Sequence, residues 1–222
     1  MALWLASYPR SGNTLLRQML YAGWGLATGS VFGEDLGDNL ALIRACGHFE
    51  LRTVMRGGER LLVNPHQVPV KTHLHPWSPE DRAVYMLRDG RSACVSLWYF
   101  WKREVPLEDI VSGRARFGSW SDHVLAWTEG ARVQELLRYE DLVADPAAAV
   151  RKLTAVFGEP VADPVTPLRE RALLAAKDGT WVRPETNWRD RWSPALEELF
   201  MRHNEPAFTR FYGESAACSI AA

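Results

Sequence analysis

The chain has 222 residues, enough for one compact domain with a real core, and 47% of them are hydrophobic and 24% charged, as in an ordinary globular protein. Basic and acidic residues nearly cancel, 26 against 27, which argues against a net field that would draw the chain onto nucleic acid or an acidic membrane. Lysine stands only at Lys71, Lys102, Lys152 and Lys177; the remaining basic residues are arginines, the better fork for phosphate and sulfate oxygens.

The three cysteines, Cys46, Cys94 and Cys218, are far apart and show no metal-ligand spacing, so no metal site is expected and a reducing, cytoplasmic setting is the simpler inference. The opening MALWLASYPRSGN lacks a basic leader and has only a short apolar run; it reads as a buried first strand, not as a signal peptide or a membrane span.

In chain order, Ala2 to Ser7 reads as a central parallel strand ending at Tyr8-Pro9. Ser11-Gly12-Asn13 is a turn-and-cap cluster, and Leu15, Leu16, Met19 and Leu20 at helical spacing place a helix from near Thr14. Residues 23–64 are glycine-punctuated and predict only a helix around Leu40 to Cys46. Val68 to Leu74 and Ala83 to Leu87 read as strands, the latter followed by a helix over Arg91 to Lys102. Trp120, Val124 and Trp127 mark a helix stopped at Gly130, and Val133 to Arg138 a strand. Asp145-Pro146 caps a helix that runs through Val150, Leu153, Val156 and Phe157 to Gly158. A last helix opens at Ser193-Pro194. Strands alternating with helices predict an α/β fold: one domain over residues 1–222, with a central, mostly parallel sheet flanked by helices. In such sheets ligands bind beyond the carboxyl ends of the strands, where three polar clusters fall.

The first cluster is YPRSGNT, Tyr8 to Thr14. At a strand–loop–helix junction, backbone N–H groups and the helix dipole hold an anion. Gly12 permits close approach, Arg10 adds charge, and Ser11, Asn13 and Thr14 add side-chain donors. The loop lacks the second glycine and the lysine of GxxxxGK[ST]. The second cluster is VKTHLHP, in which Lys71 and His73, two apart on a strand, share a face. A histidine can accept a hydroxyl proton, and a lysine can neutralise charge on a departing oxygen; His75 falls on the same face if the strand continues. In the third, LRDGRSACVS, Arg88 ends a strand and Ser96 lies about two helical turns on, with Arg91 as an alternative anion anchor.

Together these clusters resemble the sulfotransferases that use 3′-phosphoadenylyl sulfate (PAPS). That family carries a YPKSGTT-like loop, here Tyr8 to Thr14, and a KTHLP-like segment, here Lys71 to Pro76. It also carries an arginine and a serine eight apart, here Arg88 and Ser96. Its GSWxxHVxxW stretch matches Gly118 to Trp127, and its YEDL element matches Tyr139 to Leu142. The resemblance implies a P-loop-like nucleotide-binding architecture, PAPS as donor and PAP as product. Arg10 to Thr14 would bind the 5′-phosphosulfate, Arg88 and Ser96 the 3′-phosphate, with Tyr139 and Arg183 as further cofactor contacts. His73 would be the base in an in-line transfer, Lys71 and Arg10 would stabilise charge, and His123 stands where the family often has an acceptor-site histidine, although a helix histidine packed in the core reads nearly as well.

The chain departs from the pattern at Arg10, where the family has lysine. It departs again at Val182 to Trp188, which keeps an arginine and a tryptophan of RKGxxGxW but neither its lysine nor its glycines. Trp181 or Trp188 is the expected partner of the adenine, and Trp98 to Trp101 could line an acceptor pocket, although an aromatic helix face is more often core. The expected acceptor is a small-molecule, glycan or lipid hydroxyl. Two other readings, a nucleotide-dependent phosphoryl transferase and a non-catalytic nucleotide-binding paralogue, are disfavoured by the missing lysine loop and by the Lys71–His73 pair respectively.

Overall fold

The computed structural model describes residues 2–33, 36–56, 59–64, 66–167 and 187–216. The apolar run after Ala2 forms β1 (Leu3–Ala6), which lies at the centre of a five-stranded parallel sheet. On one side β1 pairs with β5 (Val70–Thr72), which in turn pairs with the two-residue β2 (Gly29–Ser30). On the other it pairs with β6 (Arg82–Leu87), and β6 with β7 (Arg132–Arg138). The order is therefore β2-β5-β1-β6-β7.

Alternation along the strands sends side chains to two separate cores. Trp4, Ala6, Ala83, Tyr85 and Leu87 point to one face, and Leu5, Val84 and Met86 to the other. The first face is covered by α3 (Gly90–Phe100), α4 (Leu107–Val111), α5 (Trp120–Gly130) and the terminal α8 (Pro194–Ala216). The second is covered by α1 (Asn13–Trp24), α6 (Tyr139–Ala144) and α7 (Pro146–Phe157). The result is a single α/β domain of three layers.

The helix ends follow from local chemistry. Asp89 caps α3 by accepting from the N–H groups of Arg91 and Ser92. Ser119 caps α5 through Asp122 N–H, and Asp145 with Pro146 opens α7. Helix α1 is different: it follows Gly12 in the left-handed region (φ 98°) and has no side-chain cap.

Most expected elements stand within a residue or two of their places. The 23–64 stretch adds α2 (Leu40–Ala45) and an antiparallel hairpin, β3 (Arg52–Arg56) with β4 (Glu59–Val63). A 3-10 turn, Trp188–Arg191, precedes α8. Among the described residues, no helix is long and apolar enough to cross a membrane.

Candidate active site

Four neighbouring strands end on the same edge of the sheet, and each delivers residues to one region. β1 leads into Ser7 to Gly12, β5 into His73, β6 into Arg88 and β7 into Tyr139.

The loop after β1 turns through two left-handed residues, Arg10 (φ 67°) and Gly12. A Cβ on Gly12 would lie 2.6 Å from Cδ2 of Tyr139, so the loop and the start of α6 are in direct contact. Ser11 is fully buried, and its Oγ has no hydrogen-bond partner among the described residues. Asn13 turns its amide inward: Nδ2 donates to Leu5 O at 2.8 Å and to Ser7 Oγ at 3.2 Å, tying α1 to β1. Its side chain is thus a strut of the loop, while its N–H belongs to the uncapped first turn of the helix. Thr14 follows in that same turn.

Arg10, Arg88 and Ser96 come together. Arg10 Nε donates to Ser96 Oγ at 3.3 Å, and Arg88 Nη1 donates to Arg10 O at 2.9 Å. The Arg10 guanidinium lies 4.9 Å from the Phe100 ring centre, and that of Arg88 lies 4.6 Å from the Tyr139 ring centre. Arg91 is turned away from them. It is paired with Asp89 at 2.8 Å and Glu197 at 3.4 Å, between the rings of Trp188 and Phe208, each at 4.5 Å. The alternative of Arg91 as anion anchor gives way to a structural role, because its donors are already spent on two carboxylates.

Lys71, 6% exposed, sits mid-strand in β5, and His73 lies one residue past the strand end. Both meet the ring of Phe32, which stacks on the His73 imidazole at 5.6 Å and lies 6.0 Å from Lys71 Nζ. They therefore share a face. His73 Nδ1 lies 2.8 Å from Ser7 O. A carbonyl only accepts, so Nδ1 carries the proton and the lone pair of the neutral ring is on Nε2. His75 is exposed beyond the turn, edge-on to His123 at 5.5 Å.

His123 is fully buried, with both ring nitrogens bonded to protein: Nε2 to His73 O at 3.1 Å and Nδ1 to Tyr85 Oη at 2.8 Å. This matches the packed-histidine alternative. Burial, helped by the nearby His75, lowers its pKa from 6.5 to about 3, so the ring is neutral at any ordinary pH. Of the aromatic run on α3, Phe100 lies beneath Arg10, Trp101 stacks on Phe117 at 6.1 Å, and the Tyr99 hydroxyl accepts from Arg191. Trp188 packs on Arg91 and Trp192; Trp181 and Arg183 lie outside the described residues. Among the described residues, no cluster of three or more histidine, cysteine or carboxylate side chains could hold a metal ion.

The family model described as "Sulfotransferase domain" matches residues 2–205. The chain belongs to the sulfotransferase family. Sulfotransferase 1E1 of Mus musculus is 28% identical over 170 residues, covering 67% of this chain and 56% of its own length. Flavonol 3-sulfotransferase of Flaveria bidentis is 28% identical over 195 residues, covering 77% and 59%. The chain thus spans a little over half the length of these curated relatives.

Two solved structures share the fold. Mouse sulfotransferase SULT7A1 complexed with PAP has a TM-score of 0.61 at 18% identity, covering 97% of this chain and 86% of that one. Retinol dehydratase in complex with androsterone and inactive cofactor PAP has a TM-score of 0.58 at 16% identity, covering 93% and 80%.

Within this sulfotransferase fold, sequence reading missed Ser7, Phe32 and Phe117, which surround His73. Ser7 contributes mainly through its backbone carbonyl, for which no residue type is a signal, with its hydroxyl also 3.3 Å from His73 Nδ1. Phe32 and Phe117 come from loops whose approach to His73 depends on the sheet order.

Proposed function

We propose that this chain transfers a sulfuryl group from PAPS to the hydroxyl of a small-molecule acceptor, with His73 as general base. The observation that carries the reading is the Nδ1–H bond from His73 to Ser7 O, which leaves the basic lone pair on Nε2 of a ring that meets Phe32 together with Lys71.

The residues present suit a phosphosulfate group. The loop has a buried hydroxyl with no protein partner at Ser11, an uncapped helix start, and a glycine where a side chain would collide with Tyr139. Arg10 to Thr14 would hold the 5′-phosphosulfate, through the backbone at Asn13, and Arg88 with Ser96 the 3′-phosphate; Tyr139 backs the loop, and Arg183 is a further candidate contact. When bound, the donor supplies an activated sulfuryl group that passes in line to the acceptor oxygen.

His73 Nε2 takes the proton from the acceptor hydroxyl. Lys71 and Arg10 offset the negative charge that gathers around the transferred group and the departing oxygen. Arg10 does so as a planar fork rather than as a lysine point charge, and its Nε is already directed at Ser96. Phe32 and Phe117 flank the His73 ring. A reducing, cytoplasmic setting fits the buried reduced thiol of Cys94, whose pKa burial pushes up to about 12.

The test is a transfer screen with sulfate-labelled PAPS against phenols, sugars, lipid alcohols and simple alcohols, with ATP and Mg²⁺ as the competing donor. Label should pass to at least one hydroxyl class and PAP should inhibit. Phosphate transfer from ATP, or PAP binding with no transfer to any class, would overturn the reading.

A further inference from the structure

The carbonyls just past the ends of β5 and β6 have left the ladder and need donors from elsewhere. One helix supplies three of them. On α5, Trp120 Nε1 donates to Arg88 O at 3.0 Å, His123 Nε2 donates to His73 O at 3.1 Å, and Trp127 Nε1 donates to Leu74 O at 2.9 Å. Positions 120, 123 and 127 fall on one helical face. All three rings are buried, Trp120 and His123 completely and Trp127 to within 1%.

His123 is tied down in turn. Its Nε2 faces a carbonyl and so carries the proton, leaving Nδ1 to accept from the Tyr85 hydroxyl at 2.8 Å. A path therefore runs from Tyr85 on β6, through His123, to the main chain of His73. The His73 ring extends it to the carbonyl of Ser7.

We infer that α5 is a positioning helix for the reacting centre, and that His123 is its key residue, holding the main chain of His73 so that the imidazole keeps its bond to Ser7 and presents Nε2. The inference rests on His73 being the base. It assigns His123 no contact with the acceptor. A neutral, doubly bonded imidazole suits a fixed strut: it donates and accepts at the two ends of one rigid ring.

Three variants test it: His123→Phe, which removes the donor, His123→Gln, which restores an N–H near the same place, and Trp127→Phe, which removes the neighbouring donor. The readouts are kcat and KM for an acceptor found by the screen, PAP affinity, and the ring ¹⁵N–¹H spectrum of histidine-labelled protein. Loss of a resonance in His73→Ala identifies the His73 signal among the six histidines.

In His123→Phe, kcat should fall by about tenfold or more, as small misplacements of a catalytic group do. PAP affinity and acceptor KM should stay within roughly threefold, because no ligand contact is lost. The His73 signal should change from a single Nδ1–H tautomer to a mixture. His123→Gln should keep most of the turnover and the wild-type tautomer, and Trp127→Phe should lower kcat in the same direction. Wild-type kcat and an unchanged His73 spectrum in His123→Phe would overturn the inference. So would a rise in acceptor KM alone, which would make His123 an acceptor contact. If His123→Phe does not fold, Trp127→Phe with wild-type turnover and tautomer overturns it equally. Full activity in His73→Ala would instead remove the base reading, while the spectra would still report whether α5 sets the His73 ring.

Discussion

The two sides of the site treat their polar atoms in opposite ways. Around His73 the described bonds run protein to protein: the ring to Ser7 O, the carbonyl to His123, the next carbonyl to Trp127. In the loop after β1, Ser11 Oγ is buried without a partner and α1 starts without a side-chain cap. A buried hydroxyl left unbonded costs about 1–3 kcal/mol, which a fold tolerates where a ligand later supplies the partner. The difference separates two kinds of residue that look alike in sequence. The bonded groups hold the geometry around His73, and the unbonded Ser11 hydroxyl is the proposed ligand contact.

That division orders the expected effects. The largest falls on His73, the proposed base. Removing a general base costs about a hundred- to ten-thousand-fold in rate, so His73→Ala should lose turnover by at least that lower bound. PAP affinity should stay within a few-fold, and His75→Ala should change turnover far less, because His75 is exposed beyond the turn. A dead His75→Ala beside an active His73→Ala would reverse the assignment.

Next comes the 3′-phosphate. Arg88 and Arg91 are three residues apart in one motif, yet only Arg91 is spent on carboxylates. A lost charge-assisted contact costs about 1.5–3 kcal/mol, or roughly ten- to a hundred-fold in affinity. Arg88→Ala should therefore bind PAP and its analogue without the 3′-phosphate about equally well. Arg91→Ala should keep the discrimination and lose thermal stability instead. Calorimetry that finds discrimination intact in Arg88→Ala would move the anchor elsewhere.

What the sequence disclosed follows the range of the interactions. The strand–turn–helix from β1 into α1 was legible because Ser11-Gly12-Asn13 and the apolar run before it are adjacent in the chain, and turn chemistry acts locally. The parallel sheet was legible from period and length, apart from β2, whose two residues are too few to carry a period, and the hairpin, hidden among glycines. Arg91 was ambiguous because Glu197 and Phe208, which claim it, lie in a helix at the far end of the chain. His123 was ambiguous because its partners are a backbone carbonyl and the hydroxyl of Tyr85, and neither leaves a trace in residue spacing. Asn13 looked like one more ligand donor until its amide was seen bonded to Leu5 and Ser7.

Asn13 gives a smaller effect, and one of a different kind. Its amide makes two buried bonds, so Asn13→Ala should lose about 1–3 kcal/mol of stability. In a domain of this size that lowers Tm by about 2–4 °C per kcal/mol. PAP affinity measured well below the new Tm should change by less than about threefold, because the backbone N–H groups of the α1 start remain. A large loss of affinity with Tm unchanged would show that the amide reaches the ligand after all.

Ser11 differs from Asn13, whose Nδ2 is bonded even though its Oδ1 is not, and the smallest effect is also the most discriminating. Its Oγ makes no bond among the described residues, so Ser11→Ala removes a buried polar atom and leaves nothing unpaired. The ligand-free protein should be as stable as wild type, or more stable by up to about 1 kcal/mol. With the nucleotide bound the balance changes sign. The hydroxyl would donate to a phosphosulfate oxygen, and a typical hydrogen bond of about 0.5–1.5 kcal/mol corresponds to roughly a two- to twelve-fold loss of affinity. Thermal melts with and without PAP read both quantities from one sample: Tm without ligand holds or rises, and the ligand-induced increase in Tm shrinks. A variant that melts earlier without ligand but gains the wild-type increment with PAP would place Ser11 among the struts and remove the hydroxyl from the cradle.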